Sequence, residues 1–258
     1  MFSLEKKNSI IIFTKNSSMS HTVDILAFAA HPDDIELSCG GTIVKQATQG
    51  DKIAIVDLTA GELGTRGTAA IRATEAKKSA KILGVVEREN LGLPDGFFDL
   101  SEKNKLAVVK MIRKYKPTIV LANSVTDRHP DHARAAQLVS EACFLAGLVK
   151  IETSLGGKKQ EAHRPDVVYH YIQDHYIKPD VIVDITGYFD IKMDAIKAFK
   201  SQFYDPNSKE PSTPISSPEF IKFLEARSRE YGRLIKTEYG EGFTVERPAG
   251  VENLNDLI

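Results

Sequence analysis

Two short segments of this chain combine histidine and aspartate at a spacing that suits a metal ion. They are residues 30–34, Ala-His-Pro-Asp-Asp, and residues 129–132, His-Pro-Asp-His. Each segment places two candidate ligands three positions apart, so that one turn of chain brings both to the same side. Two such turns facing each other would supply nitrogen and oxygen ligands with a spare carboxylate. That combination is typical of a hydrolytic metal site rather than a structural one.

The ligand types narrow the choice of metal ion, and the side chains that do not bind it are available for catalysis. Imidazole nitrogens with one carboxylate favour Zn²⁺ or Fe²⁺ over Mg²⁺ and Ca²⁺, which prefer oxygen ligands. A bound divalent ion lowers the pKa of a water ligand from about 15.7 towards 7. Of the adjacent Asp33 and Asp34, one can bind the ion while the other acts as general base. One histidine of residues 129–132 can bind the ion, and the other can donate to an oxyanion or protonate a leaving amine.

Both segments follow stretches that predict buried β-strands, residues 25–30 and 118–122. Strands and helices alternate along the chain, which predicts an α/β fold with a Rossmann-like, doubly wound, mostly parallel sheet and helices on both faces. Ligands bind beyond the carboxyl ends of such strands, where both segments lie. Further strands are predicted at 52–58, 85–89, 167–172 and 181–185, and helices at 39–49, 69–83, 101–117, 133–148, 187–199 and from 217 onwards.

Composition excludes several classes of partner. The formal charge of −1 gives no electrostatic basis for binding nucleic acid or a membrane surface, and no apolar stretch approaches the roughly 18 residues needed to span a bilayer. Cys39 and Cys143 lie in predicted helices and are expected to be free, buried thiols of a cytoplasmic protein.

The ends of the chain and one long loop are expected to differ from the rest. The apolar run at 10–13 is too short for a secretory signal. Residues 1–20 are instead expected to be a disordered leader. Residues 21–258 then form a single domain. The proline-rich stretch 204–218 predicts a long loop, which suggests a lid, a partner contact such as one in a homo-oligomer, or mobility.

The motifs together resemble the PIG-L/LmbE-like deacetylases, zinc enzymes that remove acetyl groups from N-acetylglucosaminyl compounds. The resemblance covers most of residues 22–245, with weaker matches at 201–203 and 241–243. The stronger matches are residues 30–34, the loop 58–65 with its Gly-Glu-Leu-Gly-Thr sequence, Arg72 within 67–75, residues 91–96 and residues 127–132.

The resemblance implies a metal site and a base. His31, Asp34 and His132 would bind Zn²⁺, the expected cofactor, with Fe²⁺ as the alternative in the cell. Asp33 would be the general base.

Three further residues receive roles from the resemblance. His129 would polarise or protonate the tetrahedral intermediate, and Asp131 would orient it. Arg72 falls where the family places a substrate-binding arginine, and its alternative is a surface arginine paired with Glu75 or Glu62.

Within the family, the pattern is most similar to the bacillithiol-pathway branch, which deacetylates N-acetylglucosaminyl malate. Arg72 or Arg66 could then pair with the malate carboxylates. Alternative functions are a thiol S-conjugate amidase, or a deacetylase of another N-acetylated sugar such as an N-acetyl chitooligosaccharide. The non-enzyme alternatives are a carbohydrate-binding protein on the same fold and a nucleotide or sugar-phosphate binder. The glycine-rich loop lacks the P-loop lysine that such a binder would use.

Overall fold

A computed structural model describes residues 22–257, so the predicted leader at residues 1–20 lies outside the described range. Nine strands and six α-helices alternate along the described chain. In chain order the strands are β1 (Ile25–Ala29), β2 (Ile53–Thr59), β3 (Glu87–Leu93), β4 (Ile119–Ala122), β5 (Ser154–Leu155), β6 (Lys158–Lys159), β7 (Val167–Tyr171), β8 (Val181–Asp184) and β9 (Gly240–Val245). The helices are α1 (Asp34–Gln49), α2 (Ala69–Leu83), α3 (Glu102–Tyr115), α4 (Pro130–Ala146), α5 (Phe189–Lys197) and α6 (Pro218–Leu234).

Seven strands form one mixed sheet in the order β3-β2-β1-β4-β7-β9-β8, and β5 pairs with β6 as a separate hairpin. Five neighbouring strands are parallel, namely β3, β2, β1, β4 and β7. Strand β9 runs antiparallel to both β7 and β8. The predicted α/β fold with a doubly wound, mostly parallel sheet is confirmed. Strand β9 was not predicted, since its Gly-Glu-Gly-Phe start shows neither apolar alternation nor a buried run.

Helices cover both faces of the sheet, as β1 shows. All five of its residues are buried, which is expected of a central parallel strand. Leu26 and Phe28 pack into a core that includes residues of α3 and α4. Ile25 and Ala27 face the opposite core, which includes residues of α1.

Helix α1 begins at Asp34, five residues before the predicted start at Cys39. The prediction coincides with a real break, because Cys39 has non-helical dihedrals (φ −136°, ψ 18°). Beyond the break, the N–H groups of Gly41 and Thr42 donate to the Glu241 carboxylate at 3.0 and 2.7 Å. Lys192 Nζ donates to the same carboxylate at 2.7 Å. A buried ion pair from α5 and β9 thus caps the second segment of α1, as a carboxylate at a helix N-terminus does.

Other boundaries differ in smaller ways. Helix α4 begins at Pro130, three residues before its predicted start, because proline suits the first turn of a helix. Both cysteines are free and buried, as predicted. None of the helices among residues 22–257 has the length and apolar character required to cross a bilayer. The 204–218 segment contains a short 3₁₀ helix, Pro214–Ser216. Its role in a homo-oligomer stays a prediction.

Candidate active site

The two histidine segments meet at one edge of the sheet, beyond the carboxyl ends of β1 and β4. The ring centroids of His31, His129 and His132 lie 4.6, 5.1 and 5.6 Å apart. They border a cavity of about 260 Å³. Six of the seven residues predicted for the site line it, and the seventh, Asp131, is fully buried behind His31. The six are His31, Asp33, Asp34, Arg72, His129 and His132.

The Asp34 carboxylate lies between two of these rings. Its Oδ2 is 3.8 Å from His31 Nδ1, and its Oδ1 is 3.2 Å from His132 Nε2. Ligands bound at 2.0–2.1 Å around a tetrahedral zinc ion lie about 3.3 Å apart, which is close to these separations. Asn123 Nδ2 donates to Oδ2 at 3.0 Å and Gln173 Nε2 donates to Oδ1 at 3.2 Å, so the carboxylate is held from two strand ends.

The second nitrogen of His31 faces carboxylates. His31 Nε2 is 3.0 Å from Asp95 Oδ1 and 3.3 Å from Asp131 Oδ2. Because a carboxylate can only accept, Nε2 carries a proton and the lone pair of Nδ1 is left for a metal ion. Asp131 also accepts from Gly96 N at 2.8 Å and from Arg134. Its carboxylate therefore orients His31, whereas the resemblance had assigned it to His129.

His132 is arranged in the same way through its opposite nitrogen. Its Nδ1 contacts Asp127 Oδ2, and its Nε2 lies 3.4 Å from Gln173 Nε2, an amide donor. With Nδ1–H donating to Asp127, Nε2 is the nitrogen that a metal ion would take in place of a proton, and it faces Asp34 Oδ1 at 3.2 Å. Asp127 is itself fixed, because its Oδ1 accepts from His175 N at 2.8 Å. Carboxylates behind both histidines are the usual second layer of a metal site.

His129 accepts a hydrogen bond from the backbone, whereas His31 and His132 donate to carboxylates. Its Nδ1 accepts from Asp131 N at 3.2 Å, so a neutral ring must carry its proton on Nε2. Burial and the nearby His31 and His132 lower the pKa of His129, which favours the neutral ring. His31, His129 and His132 offer nitrogens within 4.8 Å of one another, so geometry alone permits a three-histidine set. The proton on His129 Nε2 argues for a hydrogen-bond donor instead, and for Asp34 as the third ligand.

Asp33 combines a strained backbone with a side chain that makes few contacts. It precedes α1 with φ 124°, a value rare for any residue with a Cβ atom, and such strain concentrates at functional sites. Its carboxylate has an ion pair with Arg72 Nη2 at 4.0 Å and no hydrogen bond to a residue of the described chain. Burial raises the pKa of Asp33 to about 7, although Arg72 opposes the rise.

Arg72 reaches the site because the glycine-rich loop leaves space for it. A Cβ atom on Gly61 would lie 1.9 Å from Arg72 Nη1, and Gly61 also has a positive φ of 64°. Arg72 Nη2 donates to Gln202 of the 201–203 match. The side chain is only 8% exposed, so the alternative of a surface arginine paired with Glu75 or Glu62 is wrong.

The charge balance of the cluster fits a cation. Burial lowers the pKa of both metal-facing histidines, yet the carboxylates around them reverse this effect. The pKa of His31 rises to about 10 through Asp131, Asp95 and Asp34. The pKa of His132 rises to about 9 through Asp34 and Asp127. Groups that stabilise positive charge on two imidazoles also stabilise a divalent ion that replaces those protons.

Sequence reasoning missed four supporting residues. They follow β3, β4 and β7 at the edge where ligands bind, and that position was the available signal. Asp95 contacts His31 and accepts from Leu63 N at 2.9 Å. The four are Asp95, Asn123, Asp127 and Gln173.

Arg66 does not face the cavity. Its Nε donates to Ser201 O and its Nη2 to Ser208 Oγ, both at 2.8 Å, so it connects two loops.

Comparison with known proteins identifies the family. A sequence model described as GlcNAc-PI de-N-acetylase, PIG-L, matches residues 26–143. A diacetylchitobiose deacetylase from Thermococcus kodakarensis is 30% identical over 89% of this chain and 85% of its own length. This chain belongs to the PIG-L family. The family resemblance drawn from the motifs is confirmed.

A second relative and two solved structures extend the comparison. The Bacillus anthracis protein named "Probable N-acetyl-alpha-D-glucosaminyl L-malate deacetylase 2" is 25% identical over 72% of this chain and 84% of its own. The conserved protein TT1542 from Thermus thermophilus has a TM-score of 0.79 and 33% identity, covering 90% of this chain and 99% of that one. The N,N'-diacetylchitobiose deacetylase from Pyrococcus horikoshii, complexed with an inhibitor, has a TM-score of 0.73 and 29% identity, covering 91% and 88%.

Proposed function

We propose that this chain is a metal-dependent amide hydrolase that removes the N-acetyl group from an amino-sugar conjugate. The observation that carries the proposal is the polarity of the two rings that flank Asp34. His31 Nδ1 and His132 Nε2 face its carboxylate and are the nitrogens that a metal ion would take in place of a proton, and the opposite nitrogens donate to other carboxylates. Family membership supports amide hydrolysis as the reaction.

The donor set fits Zn²⁺, with Fe²⁺ as the alternative. His31, Asp34 and His132 would hold the ion. When bound, it would polarise the amide carbonyl and lower the pKa of a bound water molecule. Three protein ligands with a cavity beside them match a catalytic rather than a closed structural site.

Asp33 and His129 supply the proton chemistry. As water attacks the acetamide carbonyl carbon, Asp33 accepts its proton, and a base in this role contributes about 10²- to 10⁴-fold in rate. The C–N bond then breaks, and protonated Asp33 returns the proton to the departing amine. His129 Nε2–H donates to the carbonyl oxygen as negative charge develops there, a contribution of about 10²- to 10³-fold. The products are acetate and the free amine.

The substrate proposed is N-acetylglucosaminyl malate, as the sequence pattern suggested. An N-acetyl chitooligosaccharide is the second candidate, because the T. kodakarensis relative is more similar and covers more of this chain than the malate relative. Of the two arginines proposed for malate, Arg66 is held in the loops and Arg72 is shared with Asp33 and Gln202. Arg128 also borders the cavity and is exposed.

The test is acetate release from a panel of substrates alongside metal content. The panel contains N-acetylglucosaminyl malate, diacetylchitobiose and a thiol S-conjugate amide. We expect release from an N-acetyl sugar that stops on chelation and returns with Zn²⁺. Amide cleavage of the thiol conjugate alone would favour the amidase alternative. Sugar binding without acetate release would favour the carbohydrate-binding alternative, and turnover that persists without metal would refute the proposal.

A further inference from the structure

A second, smaller cavity adjoins the first on the side of α6. Its volume is about 50 Å³, enough for roughly two water-sized groups. The two cavities share walls, so the smaller one continues from the candidate metal site. The shared wall residues are Asp34, Leu37, Arg128, His132 and Ile215.

On the α6 side, the wall of this small cavity is apolar except for one cation; the remaining lining that the two cavities do not share is polar and consists of Ser38, Asp127, Gln173 and Asp174. Phe220, Phe223 and Leu224 come from α6, and Arg227 follows them one turn later on the same helix. The Arg227 guanidinium carbon lies 5.1 Å from the centre of the Phe223 ring, a cation–π contact within α6.

Arg227 forms no ion pair with any residue of the described range 22–257. Its Nη1 atom is shielded from solvent and has no hydrogen-bond partner among the described residues. Asp127, Asp174 and Glu241 are the nearby acidic groups; the first two line the cavity, and all three are engaged elsewhere, Glu241 with Lys192. Asp127 contacts His132, and Asp174 pairs with Arg128 Nε at 3.1 Å. A buried guanidinium nitrogen without an acceptor is costly, which is the usual sign of a missing ligand.

We infer that the small cavity binds a carboxylate group through Arg227. A carboxylate oxygen would accept from Nη1, and the apolar residues of α6 would lie against its carbon atoms. This inference rests on the proposed function, because two sources of such a group follow from it. One is acetate, the reaction product, and the other is a carboxylate on the substrate's aglycone. The size of the cavity suits the two-carbon acid.

The direct test measures carboxylate binding by the metal-loaded protein. Acetate and L-malate are titrated into wild type, Arg227→Gln and Arg227→Met, with Arg233→Gln as the matched control, an exposed arginine later on α6. Arg227→Met keeps the aliphatic packing on Phe223. We expect both Arg227 variants to bind the carboxylate about 10- to 100-fold more weakly, since a hydrogen bond to a charged group is lost. Arg233→Gln should bind as wild type does. Equal affinities in all four proteins would overturn the inference.

The two sources separate in kinetics. If acetate is the ligand, Arg227→Gln weakens product inhibition by acetate equally for every substrate. If an aglycone carboxylate is the ligand, the variant lowers kcat/KM for the acidic substrate and not for its neutral amide analogue. A variant with unchanged acetate inhibition and unchanged kcat/KM for both substrates contradicts both sources.

Two further observations keep the outcome independent of variant folding and of turnover. On wild-type protein, magnetisation transfer from the acetate methyl group to the Phe220 and Phe223 ring protons should be detectable, and its absence would overturn the acetate assignment. If carboxylate binding depends on Arg227 while no panel substrate releases acetate, the proposed reaction fails and the binding site stands. If acetate is released and neither binding nor kinetics depends on Arg227, the proposed reaction stands and the carboxylate site is refuted.

Discussion

Two groups of buried carboxylates flank the start of α1, and they are neutralised in different ways. In the first, the Arg88 cluster, Arg88 Nε and Nη2 donate to Asp57 at 2.8 and 2.9 Å, and Arg88 Nη1 donates to Glu36 at 2.6 Å. In the second, the imidazole cluster, His31 and His132 are the groups that face the carboxylates. Its members are His31, His132, Asp34, Asp95, Asp127 and Asp131.

The difference separates a structural site from a reactive one. A guanidinium keeps its charge at any ordinary pH and donates to both carboxylates in a fixed geometry, so the Arg88 cluster is held by a permanent charge. An imidazole can release its proton and offer a lone pair instead. The imidazole cluster can therefore exchange protons for a metal ion, which the Arg88 cluster cannot do. Substitutions in the two groups should consequently affect different measurements.

The largest expected effect is on turnover at Asp33. Asp33→Asn should lower kcat by about 10²- to 10⁴-fold because the base is removed, and metal content should not change. Asparagine has nearly the same size and shape as aspartate, so the unusual backbone conformation at this position should persist. The matched variant is Asp57→Asn in the Arg88 cluster, which should keep kcat and lose stability. Steady-state kinetics and elemental analysis provide the measurements, and a fully active Asp33→Asn enzyme would exclude the role of Asp33.

The Arg88 cluster should reveal itself in stability. Arg88→Met leaves Glu36 and Asp57 buried without their cation, and breaking a buried ion pair costs about 3–5 kcal/mol. We expect the free energy of unfolding in urea to fall by about that amount, with metal bound per folded molecule unchanged. A variant as stable as wild type would mean that this cluster does not hold β2, β3 and α1 together.

Metal content should discriminate between the two donor sets. Asp34→Asn should lose more than the 10- to 100-fold in metal affinity that supporting residues typically cost, because a ligand itself is weakened. His129→Ala should keep the metal and lose rate. His132→Ala should lose the metal under either assignment and serves as the positive control. The reverse result, metal loss in His129→Ala and retention in Asp34→Asn, would establish the three-histidine set.

The smallest expected effect concerns the carboxylate behind His132. Asp127→Asn removes the charged partner of His132 Nδ1 and should weaken metal affinity by about 10- to 100-fold. Competition with a chelator of known affinity measures this change. An unaltered affinity would show that Asp127 serves only to hold the chain at His175.

The sequence was sufficient for the parts of the site that local pattern determines. Residues 30–34 and 129–132 follow buried strands, so the edge rule for parallel sheets brings them together without coordinates. The sequence could not identify the partner of Asp131. Its position next to His129 at a helix start suggests a local contact, whereas its carboxylate faces His31. Gln173 and Asn123 depend on the order of β1, β4 and β7 in the sheet, which periodicity does not encode.

The weaker family matches, residues 201–203 and 241–243, also have clear structural roles. Gln202 holds Arg72, and Glu241 caps the second segment of α1. Strand β9 was missed because its glycines are required by packing: a Cβ atom at Gly240 would lie 2.8 Å from Ile182, and one at Gly242 would lie 3.0 Å from Tyr231. Such requirements arise only when distant segments meet.

The cap on α1 has a consequence for biosynthesis. Gly41 and the carboxylate that it binds are 200 positions apart in the chain. A nascent polypeptide that has emerged from the ribosome as far as β4 and α4 already contains His31, Asp34 and His132. It does not yet contain Glu241, the carboxylate that accepts from the N–H groups after the break in α1. We therefore expect stable acquisition of the ion to await release of nearly the whole chain.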